Sequence, residues 1–133
     1  MSKRIITVIL CLSMLFSFCC AVNASGIQPR YDYASLVNTV LVISNGTAHC
    51  QSDIDAPAYQ TERVIIEMHL EKKTLWWWDD VTSWTVSYKG GYCSLSENYT
   101  VGNGTYRVRT EFTIIALGGD TETITNYSEE VSA

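Results

Sequence analysis

Histidine is scarce in this sequence: His49 and His69 are its two examples in 133 residues. His49 flanks Cys50, but a His-Cys pair without further ligands does not make a zinc site. His69 shares an expected outward strand face with Glu67 and Glu71. A neighbouring carboxylate orients an imidazole for base catalysis, yet no nucleophile stands at a recognisable elbow. A solvated polar face accounts for these residues, so the sequence gives no catalytic set, and neither a metal nor a cofactor is expected. Positive charge is also short, with 9 Lys and Arg against 14 Asp and Glu and a formal charge of −5. An acidic chain repels phosphate backbones, which argues against nucleic acid as a partner. No segment carries a sustained helical period with caps, and there is no long repeat or low-complexity linker.

What is present begins with a leader. Lys3 and Arg4 precede an apolar stretch from Ile5 to Phe18, and Val22-Asn23-Ala24 supplies small residues for cleavage. That layout predicts a secretory signal peptide over residues 1–24 and a single domain over residues 25–133. Losing Lys3 and Arg4 takes the formal charge from −5 to −7. The polar end, Thr121 to Ala133, shows no second hydrophobic span. The expected mature protein therefore has no transmembrane span and is released or held noncovalently to the envelope. Of five cysteines, Cys11, Cys19 and Cys20 belong to the leader, leaving Cys50 and Cys93. Two thiols in an oxidising compartment allow one disulfide; two separately buried thiols are the alternative.

A period of two dominates the mature chain. Ser35–Ile43 and Ala48–Ile54 form one predicted hairpin around Asn45-Gly46, with Leu41 facing Cys50 and Val37 facing Ile54. Glu62–Leu70, Thr82–Tyr88, a shorter Tyr92–Ser96, Thr105–Ala116 and Glu122–Tyr127 follow, with Gly90-Gly91 and Gly118-Gly119-Asp120 as turns. Seven short strands in about a hundred residues predict an all-β, antiparallel two-sheet sandwich.

The run from Tyr99 to Val108, ending Gly104-Thr105-Tyr106-Arg107-Val108, resembles the turn into strand F of immunoglobulin-like domains. The resemblance implies that Tyr106 hydrogen-bonds back across the corner and that Val108 fills a core position held by cysteine in antibody domains. It further implies that Trp84 lies on strand C, with Ile66 or Met68 on strand B. Neither Cys50 nor Cys93 falls where the antibody pair would. The whole chain is also similar to small secreted proteins of Gram-positive bacteria. The leader followed by Gln28-Pro29-Arg30-Tyr31, the tryptophan strand, and Gly104 to Val108 carry that likeness. It implies secretion and a sandwich fold, and no activity.

The most unusual segment is Trp76-Trp77-Trp78-Asp79-Asp80. If extended, neighbouring side chains point to opposite faces, so Trp77 would lie away from Trp76 and Trp78. Exposed indoles offer flat apolar faces for stacking on sugar rings or filling a partner's pocket. Asp79 and Asp80 would add acceptors; alternatively the tryptophans cap one end of the sandwich and the aspartates form a turn. Calcium needs six to eight oxygens, which Asp79, Asp80, Asp53 and Asp55 do not define. Five Asn-x-Ser/Thr sequons, at Asn23, Asn45, Asn98, Asn103 and Asn126, read as turn chemistry. The expectation is a noncatalytic extracellular or envelope-associated binding module for a cell-envelope glycan or an extracellular protein. The alternatives are a secreted effector or toxin-like protein, a structural matrix component assembling through sheet edges, and a hydrolase whose site the sequence does not reveal.

Overall fold

The computed structural model describes residues 30–133; the predicted leader lies outside the described residues. Eight strands form: β1 (Leu36–Ser44), β2 (Thr47–Ala56), β3 (Thr61–Lys73), β4 (Trp78–Tyr88), β5 (Gly91–Thr100), β6 (Thr105–Ala116), β7 (Thr121–Tyr127) and β8 (Val131–Ser132). One sheet runs β1-β2-β5; the other runs β4-β3-β6-β7, with β8 also on β6, and all pairs are antiparallel. The result is an all-β sandwich. In immunoglobulin terms the sheets read A-B-E against C′-C-F-G.

The alternating pattern explains the layers. Along β6 the residues alternate half-buried and buried without a break, placing Tyr106, Val108, Thr110, Phe112, Ile114 and Ala116 inward. Val64, Ile66, Met68 and Leu70 of β3 meet them in the same sheet, and Ala48, Cys50, Ser52 and Ile54 of β2 are buried in the opposite sheet. The Asn45-Gly46 turn takes φ of 50° and 73°, as a type I′ turn requires. Its register pairs Ser44 with Thr47, Leu41 with Cys50 and Val37 with Ile54, as the turn chemistry predicts. Gly90 sits where the chain leaves one sheet for the other. A Cβ there would stand 2.7 Å from the Thr61 carbonyl oxygen, so only glycine fits.

The corner expected from the resemblance is present: the Tyr106 hydroxyl donates to the Gly102 carbonyl at 3.0 Å, and Val108 is fully buried. The neighbouring strand labels shift by one. β3 is bracketed by β4 and β6 in its own sheet, so Ile66 and Met68 lie on strand C and Trp84 on the edge strand C′. Strand B is β2, and a buried hydrogen bond of 2.6 Å between Ser52 and Thr110 ties it across the sandwich to β6.

The disulfide does not form. Cys50 and Cys93 are both free and buried. They lie on paired strands, but Cys93 is level with Ile54, four residues along from Cys50. At about 3.3 Å per residue that offset is roughly 13 Å, well beyond the ~7 Å limit between Cα atoms. Burial pushes the Cys50 thiol up to about 12. It raises the Cys93 thiol too, with Asp55 adding to it. Both behave as small core hydrophobes.

Candidate functional site

The outer face of the larger sheet is built from residues that alternate with the core. Glu67, His69 and Glu71 project outward from β3, and Arg107, Arg109 and Glu111 from β6. The strand register sets Glu71 level with Arg107, His69 with Arg109 and Glu67 with Glu111. A bulge between Leu70 and Glu71 then brings Asp80 level with Glu71 and Trp78 level with Lys73. From β7, Tyr127 is level with Arg109.

Glu71 organises this face. It is 5% exposed and accepts from Nε of Arg107 at 2.9 Å and Nε of Arg109 at 3.3 Å. A buried carboxylate needs such partners, because an unpaired buried charge is strongly destabilising. Arg107 also lies over two rings, 4.2 Å from the centroid of Trp78 and 4.6 Å from that of Tyr127. Its bond to Glu71 runs through Nε, so the terminal nitrogens are not committed there. Burial of Arg109 alone would lower its pKa; Glu71, Glu111 and Asp80 more than offset this and hold the guanidinium above its ordinary value.

The three consecutive tryptophans do not form one extended run: Trp76 and Trp77 lie in a turn and Trp78 opens β4. Thr74 to Trp77 form the tip of the β3–β4 hairpin, closed by Thr74 N–H donating to the Trp77 carbonyl at 2.8 Å and its hydroxyl donating to the same oxygen at 3.2 Å. Alternation therefore does not separate Trp77 from its neighbours. Trp76, Trp77 and Trp78 instead line one open cleft of about 320 Å³ together with Glu71, Arg107, Arg109 and Tyr127. Trp76 is 93% and Trp77 70% exposed, whereas Trp78 is half-buried against the sheet.

The aspartates of the motif part company. Asp79 and Asp80 lie on β4 rather than in a turn. Asp80 is level with Glu71 and accepts from Nδ1 of His69 at 3.2 Å. Asp79 is exposed and level with Lys72. Asp53, grouped with them only as an oxygen donor, sits on the other sheet among its own hydrogen-bond donors. Chemically, the cleft offers indole faces, guanidinium donors and one buried carboxylate. That set suits a ligand with a flat apolar face and polar edges.

Sequence reasoning missed Glu71, Arg107, Arg109 and Tyr127 as cleft residues. The signal was the outward alternation of acids on β3 and arginines on β6; the missing link was that these strands pair.

The sequence matches no family model and no curated protein. Among solved structures, the chain is similar to wild-type OgpA from Akkermansia muciniphila, at 11% identity and a TM-score of 0.40. That likeness covers 83% of this chain and 33% of the other. A second is Spo0M, a sporulation control protein from Bacillus subtilis, at 10% identity and a TM-score of 0.34, covering 74% of this chain and 50% of that one. This chain thus spans a third to a half of their lengths, and likenesses this distant carry no argument about function.

Proposed function

We propose that this protein is an exported, noncatalytic binding module that holds a cell-envelope glycan in the Trp76–Trp77–Trp78 cleft. One observation carries the reading: three tryptophans, Tyr127 and two arginines converge on a single open cleft. Exposed indoles at a hairpin tip are unfavourable in water unless a partner covers them, and pyranose faces are a suitable cover. The leader over residues 1–24 supports export to the compartment where such glycans lie. The likeness to small secreted proteins of Gram-positive bacteria suggests the source.

The test is co-sedimentation of the purified protein with cell envelopes and insoluble polysaccharides. Saturable binding is expected, and the double change Trp76→Ala, Trp77→Ala should abolish it. Both residues are mostly exposed, so this variant should keep its far-UV circular dichroism and melting temperature. Binding that survives in the folded variant would refute the cleft as the site.

A second reading, structural assembly through a sheet edge, is favoured by one feature. β1 is an edge strand whose outer side exposes Leu36, Val40 and Val42. Unpaired backbone beside apolar side chains is a template for another strand. Concentration-dependent sedimenting polymers, suppressed by Val42→Lys, would support it.

A further inference from the structure

Next to the cleft, on the same outer face, three side chains outside its lining converge. Glu67, His69 and Glu111 each present a ligand atom, and these atoms lie within 4.8 Å of one another. We propose that they bind one divalent transition-metal ion of the zinc class, with the remaining positions open to water.

The sheet register makes the convergence unavoidable. Glu67 and Glu111 are direct cross-strand partners on β3 and β6. Like charges in that relation repel, and a cation between them removes the cost. Glu67 has no lysine or arginine partner among the described residues; its contact is Nε2 of His69 at 2.7 Å. The patch holds four carboxylates, Glu67, Glu71, Asp80 and Glu111, against the guanidiniums of Arg107 and Arg109. With His69 neutral, as a metal-binding imidazole must be, the patch is two charges negative, equal and opposite to the charge of the ion proposed. Arg109 Nη1 stands 3.6 Å from Glu111, a loose pairing that its tighter bond to Glu71 does not require.

The imidazole is independently set for the task. The His69 side chain is 10% exposed, and its Nδ1 lies 3.2 Å from Oδ2 of Asp80. An ionised carboxylate only accepts, so Nδ1 carries a proton towards Asp80, as Nε2 does towards Glu67 at 2.7 Å. Nε2 then faces the two glutamates and offers its lone pair once the ion replaces the proton. A carboxylate behind a metal-binding histidine is the recurrent means of fixing ring orientation and ligand basicity. One imidazole and two carboxylates suit zinc, whose protein sites often keep three protein ligands and an open position. Calcium fits poorly, since it takes six to eight oxygens.

The experiment is titration of the metal-free purified protein with zinc by isothermal calorimetry, alongside cobalt as a visible-absorbing substitute. Saturable binding at about one ion per chain is expected, undisturbed by excess calcium. Glu67→Gln and Glu111→Gln should each weaken it at least about tenfold, and Asp80→Asn by about 10- to 100-fold through loss of ring positioning. Both glutamates are partly exposed, so their variants should fold, as circular dichroism would verify. Glu97→Gln, on the other sheet, should leave binding unchanged. Absence of saturable zinc binding, binding indifferent to both glutamine variants, or a thiolate charge-transfer band with cobalt would each overturn the assignment. None of these readouts depends on glycan binding by the cleft.

Discussion

The two sheets each carry a buried carboxylate on their outer face, and they treat it in opposite ways. On the smaller sheet Asp53 is 4% exposed and accepts from the Ser94 hydroxyl at 2.6 Å and the Gln51 amide at 3.0 Å. Burial alone would raise its pKa, but Ser94, Gln51, Tyr92 and Asn38 donate to it and hold it below the ordinary carboxylate range. Every named partner there is neutral, and the unit is closed. On the larger sheet Glu71 is equally buried but is satisfied by two charged side chains that themselves reach a cleft. Neutral donors from adjacent strand positions finish a surface; guanidiniums on long stems leave donors over. That difference is why the candidate site falls on one face and not the other.

The sharpest way to break the comparison is Glu71→Gln. Removing the charge leaves two guanidiniums without their shared counter-ion. Loss of a partner in a fully buried pair costs about 3–5 kcal/mol. Because the Arg107 and Arg109 side chains are 24% and 22% exposed, solvent reduces this, and about 2 kcal/mol is expected. Urea unfolding at neutral pH would measure it, with loss of the Arg107 stack also quenching glycan binding. A change under about 0.5 kcal/mol would show that Glu71 does not organise the face.

Asp53→Asn should cost less, about 1–2 kcal/mol at neutral pH, since hydrogen bonds from neutral donors to the carboxylate are weakened and no ion pair is lost. Its signature is the pH dependence. A carboxylate whose folded pKa lies below its unfolded value of about 3.9 stabilises the protein above that value. The contribution disappears as pH falls through the lower, folded value. The gap between the two proteins' unfolding free energies should therefore be full at pH ~6 and close below pH ~4. A gap independent of pH would mean that Asp53 acts by shape rather than by charge.

Local chemistry was legible in the sequence, and distant pairing was not. Asn45-Gly46 dictates its own φ angles, and those dictate the register of β1 on β2. Alternation alone predicts Thr105–Ala116 to the residue and the inward set of β3. The corner at Tyr106 was readable because its hydrogen bond spans four residues. By contrast, β3 pairs with β6 across some forty residues, and nothing local specifies that choice. Without it, Trp84 could be placed on a central strand although it sits on an edge. For the same reason Glu71 could not be joined to Arg107, nor Glu67 to Glu111. The tryptophans failed differently: the extended-chain premise was wrong because Thr74 closes a turn onto Trp77.

The smallest stability effect, and the most informative about function, belongs to Trp77→Ala. Large aromatics normally lose several kcal/mol on truncation because they are buried, and a core tryptophan would lose about 3–5 kcal/mol. Trp77 is 70% exposed at a hairpin tip whose closing bonds use its backbone carbonyl, which alanine retains. Unfolding free energy should therefore change by no more than about 0.5 kcal/mol. If affinity for envelope glycan falls tenfold or more while stability stays fixed, the indole serves a partner and not the fold. If instead the variant unfolds readily, the hairpin tip packs on the sheet, and the open face is as closed as the one around Asp53.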